Sequence, residues 1–370
     1  MSFLLSLLFF MILLGVVVVV HELGHLIIAR ANGVFCEAFS FGFGPVLFSR
    51  KDKKGTDWRF SAFPLGGYVK MLGDADVSSV REIVPEGYTE EDMERMSAHR
   101  KKPWQRLLIA AGGPFANFIF AILVLFSLGI INGTPEYTNK INVVNEECLA
   151  NEAGLKSGDA IVKANGFDIH NFEDLKKQIT NSKGKELSLE IKRDDEIKNI
   201  NIKMFKEENG EKKPISVIGI TPFNFTYKPI SILEAAKSAV VTTYTLASEN
   251  IKAIFKIATS KMSAKNVGGI ISIFKISTSS AESGVISFIL MIAMISTVLG
   301  AVNLLPIPVL DGGSIVISAI EWIIGKPLNK KFIEAIFMIG FTIIIGLMVL
   351  GIWNDLSNCK FFSWLENLFK

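Results

Sequence analysis

The segment GVVVVVHELGHLIIA, residues 15–29, decides the architecture of this chain because it places a metal-binding pattern inside a long apolar run. His21 and His25 are four residues apart, so their side chains project from the same face of a helix. One zinc ion can take a nitrogen from each, and Glu22 is a candidate general acid/base for the hydrolytic water. Ionisable residues within a membrane span are costly and usually functional. We therefore predict a zinc-dependent hydrolytic centre at membrane depth rather than a chance occurrence.

The amino-acid composition indicates both membrane-embedded and water-exposed parts of the chain. Hydrophobic residues make up 49% and charged residues 20%, and the mean hydropathy is +0.39, which indicates membrane spans plus an aqueous domain. The net charge of +3 is too small to suggest a nucleic-acid partner. Spans need about 20 apolar residues, and the candidates are Phe3 to about Ala29, Leu107–Ile131, Val285–Leu305 and Phe332–Trp353. The first is too long for a signal peptide and lacks its basic start, so we expect it to be retained.

Basic residues near the spans predict the orientation of the chain. They follow the first span, precede the second and separate the third from the fourth: Arg30, Arg50, Lys51, Lys53, Lys54, Arg100, Lys101, Lys102, Arg106, Lys326, Lys330 and Lys331. With four spans all of these lie on one side, which should be cytoplasmic. Both termini and the long insert between the second and third spans then face outward. His21 lies about 27 Å along the first helix, which predicts a site towards the cytoplasmic side.

The region between the first two spans carries a strand pattern. Trp58–Phe63 and Tyr68–Leu72 flank Pro64-Leu65-Gly66-Gly67, which predicts a β-hairpin with a Pro/Gly turn. A simple surface hairpin is one interpretation. Its apolar character and its position beside the metal helix favour a hairpin that dips into a membrane-embedded cavity.

The insert contains a predicted soluble domain at 140–227, in which basic and acidic residues are balanced. Its signature AGLKSGDAIVKANG, residues 153–166, indicates a tight glycine turn, a strand and an Asn-Gly hairpin turn. A short helix over Asn171–Ile179 and two strands follow. This pattern resembles a PDZ domain of the bacterial protease type, with a spacer role as the alternative to a functional one.

Residues 231–278 form a predicted amphipathic helical linker. Leu233, Ala236 and Val240 recur at helical spacing with charged residues between apolar positions, which is typical of helices on a membrane surface. A buried helix of the soluble domain remains the alternative.

A second motif offers a candidate for the third ligand that a catalytic zinc site usually requires. The segment NLLPIPVLDGG, residues 303–313, carries Asp311 at the inner end of the third span, at the predicted depth of His21 and His25. Pro306 and Pro308 interrupt a helix, and broken backbone at membrane depth is tolerated where it lines a cavity. A helix cap is the alternative role for Asp311.

HELGH, the Gly42-Phe43-Gly44-Pro45 region, the insert and the 303–313 motif together resemble the site-2 protease family, of the bacterial regulator of sigma-E protease type. The resemblance covers essentially the whole chain. It implies an α-helical polytopic membrane protein with about four transmembrane helices, a membrane-associated β-hairpin and one inserted PDZ (α+β) domain. The implied domains are 1–131 and 285–353 for the two pairs of spans, with 140–227 and 231–278 between them.

The same resemblance implies roles for single residues. His21, His25 and Asp311 would bind Zn²⁺, and Glu22 would be the catalytic acid/base. Substrate-binding residues would be Asn303, Pro306 and Pro308 of the late motif and Phe60, Gly66 and Gly67 of the hairpin, which would hold the substrate as an added β-strand. Gly112–Phe118 resembles the family's second-span motif, which we interpret as a packing element.

The implied function is intramembrane endopeptidase activity on single-span proteins of a bacterial inner or plasma membrane. Such substrates, for example anti-sigma factors or remnant signal peptides, are first trimmed on the outer side by a separate site-1 protease. One rival is a non-proteolytic PDZ-containing binding or chaperone protein with a structural metal, although such a site needs no general base at Glu22. A membrane zinc protease for soluble or misfolded proteins is another, but those enzymes usually have a glutamate as third ligand.

Overall fold

A computed structural model of the protein describes residues 1–73, 87–144, 148–182, 185–208, 211–214, 218, 220–222, 225–259 and 268–358. The chain divides into two compact units. The first consists of Met1–Leu128 with Ala236–Lys370, and the second is Gly129–Ala235. Both predicted metal motifs belong to the first unit.

Helices dominate the first unit. In chain order the helices of the described residues are α1 (Phe3–Ala31), α2 (Glu90–Met96), α3 (Pro103–Asn132), α4 (Leu149–Glu152), α5 (Phe172–Asn181), α6 (Ile232–Ala258), α7 (Ile270–Glu282), α8 (Val285–Asn303), α9 (Asp311–Ile324) and α10 (Lys330–Asn358). Among the described residues, four segments are long and apolar enough to cross a membrane: Phe3–Ala31, Pro103–Asn132, Val285–Asn303 and Lys331–Ser357. The four predicted spans are therefore confirmed as helices, with their ends displaced by a few residues.

Helices α1 and α3 cross at glycines. A Cβ on Gly24 would lie 2.2 Å from the carbonyl oxygen of Gly112, and one on Gly112 would lie 2.7 Å from that of Gly24. Small residues allow helices in a bilayer to approach to backbone contact. Gly24 lies between the two histidines in the sequence, so the crossing brings α3 directly against the metal motif.

Helix α7 begins within the predicted helical linker over 231–278. It contacts α1, α8 and α10 and so belongs to the helical unit. Its first turn is capped by Asp355 of α10, whose Oδ2 accepts the backbone N–H groups of Ile271 at 2.9 Å and Ser272 at 3.1 Å. The sequence pattern missed this because the capping group comes from a residue more than 80 positions later. Helix α6 falls within the predicted linker, and its membrane-surface location stays a prediction.

Two long strands, β1 (Cys36–Lys51) and β2 (Asp57–Met71), form an antiparallel pair between α1 and α2. The predicted pairing of Trp58–Phe63 with Tyr68–Leu72 differs from the structure, because both halves of β2 pair with β1 and Pro64–Gly67 lies between these halves. Ala38, for example, has partners at both Lys70 and Asp57, so the pair folds back on itself. Gly42 of β1 permits this: a Cβ there would lie 2.5 Å from the carbonyl oxygen of Phe63.

The turn between β1 and β2 forms around Asp52. Its Oδ1 accepts the backbone N–H groups of Lys54 at 2.8 Å and Thr56 at 3.1 Å, a local arrangement that aspartate favours in turns. Its Oδ2 accepts Trp58 Nε1–H at 3.0 Å and a hydrogen bond from Arg30. Desolvation opposes ionisation, but these hydrogen bonds hold the pKa of Asp52 well below its usual range. The turn is thus tied to the end of α1.

The second unit has its own core. Its strands are β3 (Thr134–Tyr137), β4 (Ile141–Val144), β5 (Ala160–Ala164), β6 (Phe167–Asp168), β7 (Glu186–Arg193), β8 (Glu196–Lys203), β9 (Phe205–Glu208), β10 (Glu211–Pro214), β11 (Ile220–Pro222) and β12 (Phe225–Lys228). A four-stranded sheet of order β6-β5-β7-β8 packs with α5 around Leu175, Leu189 and Ile191. The predicted turn at Asn165-Gly166 is present with positive φ at both residues, and Asn171 caps α5.

Asp159 anchors the glycine turn of this unit. Its buried carboxylate accepts hydrogen bonds from Arg193 Nε at 2.6 Å and Nη2 at 2.7 Å. Burial opposes ionisation, but the guanidinium outweighs it and lowers the pKa of Asp159. The Gly-Asp signature is therefore held by a charge pair with β7.

Candidate metal centre

Helix α1 presents two imidazoles to one point. His21 and His25 are both buried, and their Nε2 atoms lie 3.2 Å apart. Their four-residue spacing puts them one above the other on the helix. The predicted pairing of the two side chains is present in the structure.

The third candidate ligand, Asp311, comes from a segment close to the C-terminal end of the chain. Helix α8 ends at Asn303, residues 304–310 are not helical, and Asp311 is the first residue of α9. Asp311 Oδ2 lies 3.0 Å from His21 Nε2, and Oδ1 lies 3.4 Å from His25 Nε2. Asp311 makes no side-chain cap, since the N-cap residue is Leu310.

The chain reaches Asp311 through a tightly packed bend. Val309 has φ +88°, a conformation that a β-branched residue rarely adopts. The glycines after the aspartate are sterically required: a Cβ on Gly312 would lie 2.1 Å from the carbonyl oxygen of Leu305, and one on Gly313 would lie 2.6 Å from that of Ile307. The Asp-Gly-Gly sequence thus allows α9 to start directly against the preceding segment.

These three side chains fit a divalent metal ion. Their candidate ligand atoms all lie within 4.8 Å of one another. Asp311 Oδ2 is buried and has no hydrogen-bond partner among the described residues, despite its closeness to His21, so its lone pairs are available to a cation. Two imidazole nitrogens and one carboxylate are a donor set that zinc accepts, with an open position left for water or substrate.

Helix α3 orients the second histidine. His25 Nδ1 lies 2.8 Å from the carbonyl oxygen of Ile109, which can only accept, so this nitrogen carries the proton. The lone pair of His25 is therefore on Nε2, which faces His21 and Asp311. Metal-binding histidines commonly have such a partner on the nitrogen that is not a ligand.

Glu22 is held by the sheet. The backbone N–H of Val69 in β2 donates to Glu22 Oε2 at 3.1 Å. Val69 faces Phe39 of β1, yet its N–H is directed to α1 and not into the strand pair. The carboxylate adjacent to the two histidines is thus positioned by a strand edge.

A cavity of about 1130 Å³ contains this centre. The centre's residues Glu22, His21, His25, Asn303 and Asp311 line it. The other lining residues belong to β2, α3, α9, α10 and the segments that precede α3 and α9: Val69, Met71, Ala98, His99, Arg106, Ile109, Ala110, Val309, Leu310, Ser314, Ile317, Ser318, Ile333, Glu334, Phe337, Met338 and Phe341. The volume is above what a small ligand needs and suits a peptide segment.

Comparison with known proteins identifies the family. The profile of Peptidase family M50 matches residues 9–347. The chain belongs to this family, the site-2 proteases. A protein of Agrobacterium fabrum named as a zinc metalloprotease is 35% identical over 94% of this chain and 95% of its own length. A Clostridium perfringens protein with the same description is 34% identical over 94% and 97%. Metalloprotease MmpA of Caulobacter vibrioides is 31% identical over 100% and 99%.

Membership of family M50 settles two of the predictions. The family is zinc-dependent, so zinc is the cofactor, and the donor set described above fits it. With its four apolar helices, the chain is a multi-pass membrane protein of a peptidase family.

The structure brings only some of the predicted substrate-binding residues to the cavity. Asn303 lines it, with Nδ2 at 3.4 Å from His21 Nε2. The other five, Pro306, Pro308, Phe60, Gly66 and Gly67, are not among the lining residues. Pro308 instead packs against α10, where a Cβ on Gly340 would lie 2.2 Å from its carbonyl oxygen. In β2 the strand residues that do reach the cavity are Val69 and Met71.

Sequence reasoning missed the groups that orient the centre. Ile109 acts through its backbone, for which a sequence carries no signal. Arg106 of α3 forms an ion pair with the buried Glu321 of α9, and Glu321 Oε1 also accepts the N–H of Leu328 at 2.8 Å. An acidic residue amid the apolar positions of α9 was the available signal for that pair.

Gly113→Ala is expected to disrupt zinc binding. The new Cβ would lie 2.3 Å from His25 Nε2 and 2.6 Å from His21 Cε1, so the imidazoles must move. We expect zinc affinity to fall by at least about tenfold, the lower range for disturbing a ligand's support. Competition with a chelating dye on purified protein measures it.

Gly346→Ala is the matched control, because nothing lies within 4 Å of a Cβ at that helical position. Equal zinc affinity in the Gly113 and Gly346 variants would contradict the steric argument.

Proposed function

We propose that this protein is an intramembrane zinc endopeptidase that cuts the transmembrane segments of single-span membrane proteins. The observation that carries the proposal is the convergence of His21, His25 and Asp311 beside Glu22 on a helix that is long and apolar enough to span a bilayer. A hydrolytic centre on such a helix lies at a depth suited to peptide bonds of membrane-embedded segments.

His21, His25 and Asp311 are the proposed zinc ligands. Zinc bound there would polarise the scissile carbonyl and lower the pKa of water. Glu22 lines the same cavity and is the proposed general base, which accepts a proton from the attacking water and passes it to the leaving amine. Its hydrogen bond from Val69 N–H fixes the carboxylate for that proton transfer. A merely structural metal would give Glu22 no such task.

The substrate must leave its helix before it is cut, because helical peptide bonds are closed within their own hydrogen bonds. The strand segment around Val69 is the proposed binding site for the unwound substrate segment. Val69 and Met71 of this segment line the cavity, so an extended substrate can add beside the strand through main-chain hydrogen bonds, while Val69 N–H stays with Glu22. Asn303, beside His21, is the proposed contact to the substrate backbone on the opposite wall.

The second unit is proposed to be a PDZ domain that filters or docks substrates. The sheet β6-β5-β7-β8, the helix α5 and the Gly-Asp turn support this assignment. Substrates would be single-span proteins such as anti-sigma factors or remnant signal peptides, already trimmed by a separate site-1 protease.

We further propose a bacterial inner or plasma membrane location with the second unit outside. The basic residues before α3 and between α9 and α10 support a cytoplasmic position for those segments. Single-cysteine variants at Lys198 and Lys326 test it in intact cells with an impermeant thiol reagent. Labelling of Lys198→Cys alone is expected, and labelling of Lys326→Cys alone would invert the orientation.

The proposed activity is tested with purified protein in lipid vesicles and a single-span substrate whose fragments are mapped by mass spectrometry. We expect the cut to fall inside the apolar span of a pre-trimmed substrate. Cuts confined to soluble regions would overturn the proposal.

A variant that lacks Lys140–Tyr227 and still binds zinc is expected to gain activity on the untrimmed substrate. Loss of cutting of the trimmed one would overturn the filter role.

A further inference from the structure

Asn117 of α3 is a buried amide that faces the metal centre from the side opposite Asp311. Its side chain is completely buried, and Nδ2 lies 3.2 Å from Nδ1 of His21. Asp311 lies on the Nε2 side of the same ring, at 3.0 Å. Both nitrogens of His21 therefore have a polar neighbour.

The amide of Asn117 is only half satisfied. Its Oδ1 is buried and has no hydrogen-bond partner among the residues that the structure describes. A buried amide oxygen without a partner destabilises the folded protein, because its hydrogen bond to water is lost and not replaced. Rotation by 180° about the Cβ–Cγ bond exchanges oxygen and nitrogen within the same volume, and it would bring Oδ1 to the Nδ1 atom of His21.

The chemistry of a histidine ligand selects this rotated orientation. A neutral imidazole that binds a metal through Nε2 carries its proton on Nδ1, and that N–H needs an acceptor when the ring is buried. His25 meets this requirement through the carbonyl oxygen of Ile109 at 2.8 Å. On the corresponding side of His21, the neighbouring polar group is the amide of Asn117.

We propose that Asn117 is a positioning residue for zinc: Oδ1 accepts the Nδ1–H of His21 and holds the ring with Nε2 directed to the metal. Its role goes beyond the packing interpretation of the 112–118 motif. It rests on the proposed ligand set, in which His21 binds through Nε2. Asn117 then does for His21 what the backbone of Ile109 does for His25.

Contacts with α8 hold the backbone of Asn117 in place, whereas its side-chain amide can still rotate about the Cβ–Cγ bond. Ser296 of α8 donates through Oγ to the carbonyl oxygen of Asn117 at 3.1 Å. A Cβ on Gly300, one turn further along α8, would lie 3.3 Å from Asn117 Cβ. Helix α8 thus closes one side of the residue, and the amide is confined between that helix and His21.

The first test leaves Asn117 and the metal centre unchanged. The full-length, zinc-loaded protein is labelled with ¹⁵N-histidine, and the signals of His99 and His170 are identified with His99→Gln and His170→Gln, which leaves those of His21 and His25. We expect His21 to show a protonated, hydrogen-bonded Nδ1 and a metal-bound Nε2, as His25 does. An unprotonated Nδ1 on His21 overturns the proposal.

The second test compares Asn117→Leu, which removes the acceptor at similar volume, with Asn117→Asp, which keeps acceptor oxygens. Zinc affinity measured by chelator competition is expected to fall about 10- to 100-fold in the leucine variant and to stay within about threefold in the aspartate variant. Ser296→Ala, which removes only the bond to the backbone carbonyl, is the matched control and should bind zinc normally. Equal affinity of the leucine and wild-type proteins overturns the proposal.

A purely structural role for Asn117 predicts a different result, in which the aspartate variant loses zinc as the leucine variant does. If the leucine variant does not fold, the aspartate variant and the spectrum of His21 decide the question. His21→Ala separates this inference from the ligand assignment. Retention of zinc by that variant refutes the ligand set, whereas its loss together with normal zinc binding by Asn117→Leu refutes only the role of Asn117.

Discussion

Glu22→Gln is expected to reduce cleavage of a single-span substrate by about 10²- to 10⁴-fold, the contribution of a general base. The amide keeps an oxygen that can accept the N–H of Val69, which now donates at 3.1 Å, so the position of the side chain is preserved. It cannot take a proton from water, however. His21, His25 and Asp311 are unchanged, so zinc content should be that of the wild type.

Turnover and bound zinc are measured on the same purified sample. Glu334→Gln is the control, because Glu334 lines the same cavity on α10 and is not assigned a catalytic role. Near-normal turnover of Glu22→Gln would exclude Glu22 as the base. Loss of zinc along with activity would mean instead that the side chain supports the metal site.

Asp311→Asn is expected to lose zinc and activity together. A neutral amide is a poor zinc ligand, and the substitution leaves two histidines where three protein groups now converge within 4.8 Å. We expect the loss of affinity to exceed the roughly 10- to 100-fold that removal of an outer hydrogen-bond partner costs. Chelator competition and substrate cleavage measure the two effects separately.

Glu321→Gln is a useful comparison for that variant. It also alters a carboxylate of α9, but one that pairs with Arg106 and Leu328 and not with the histidines. Wild-type zinc content in Asp311→Asn would show that the third ligand lies elsewhere.

Local patterns were sufficient to predict the spans and both halves of the centre. Hydropathy located four helices because a bilayer imposes a length on any apolar helix, and helical spacing paired His21 with His25. Asp311 was predicted from its place after a proline break, although the sequence did not indicate that it would begin a separate helix, α9.

Local sequence patterns could not predict the contacts between segments that are distant in the chain. Both halves of β2 pair with β1 and not with each other. The local Pro-Leu-Gly-Gly sequence carries no information about this choice of partner. The hydrogen bonds from Val69 to Glu22 and from His25 to Ile109 use backbone groups, which every residue has. Asn117 was present in a quoted motif, but only its place beside His21 gives it a chemical role.

The two halves of the centre also emerge from the ribosome at different times. Roughly 290 residues separate His21 from Asp311, which corresponds to on the order of 15–60 seconds of synthesis at usual elongation rates. During that interval α1 is already available to enter the bilayer, but the carboxylate that faces its histidines has not been made. A nascent or truncated chain that lacks Asp311 therefore holds only two of the three groups that converge at the centre, and the full set exists only once the last third of the chain has been made.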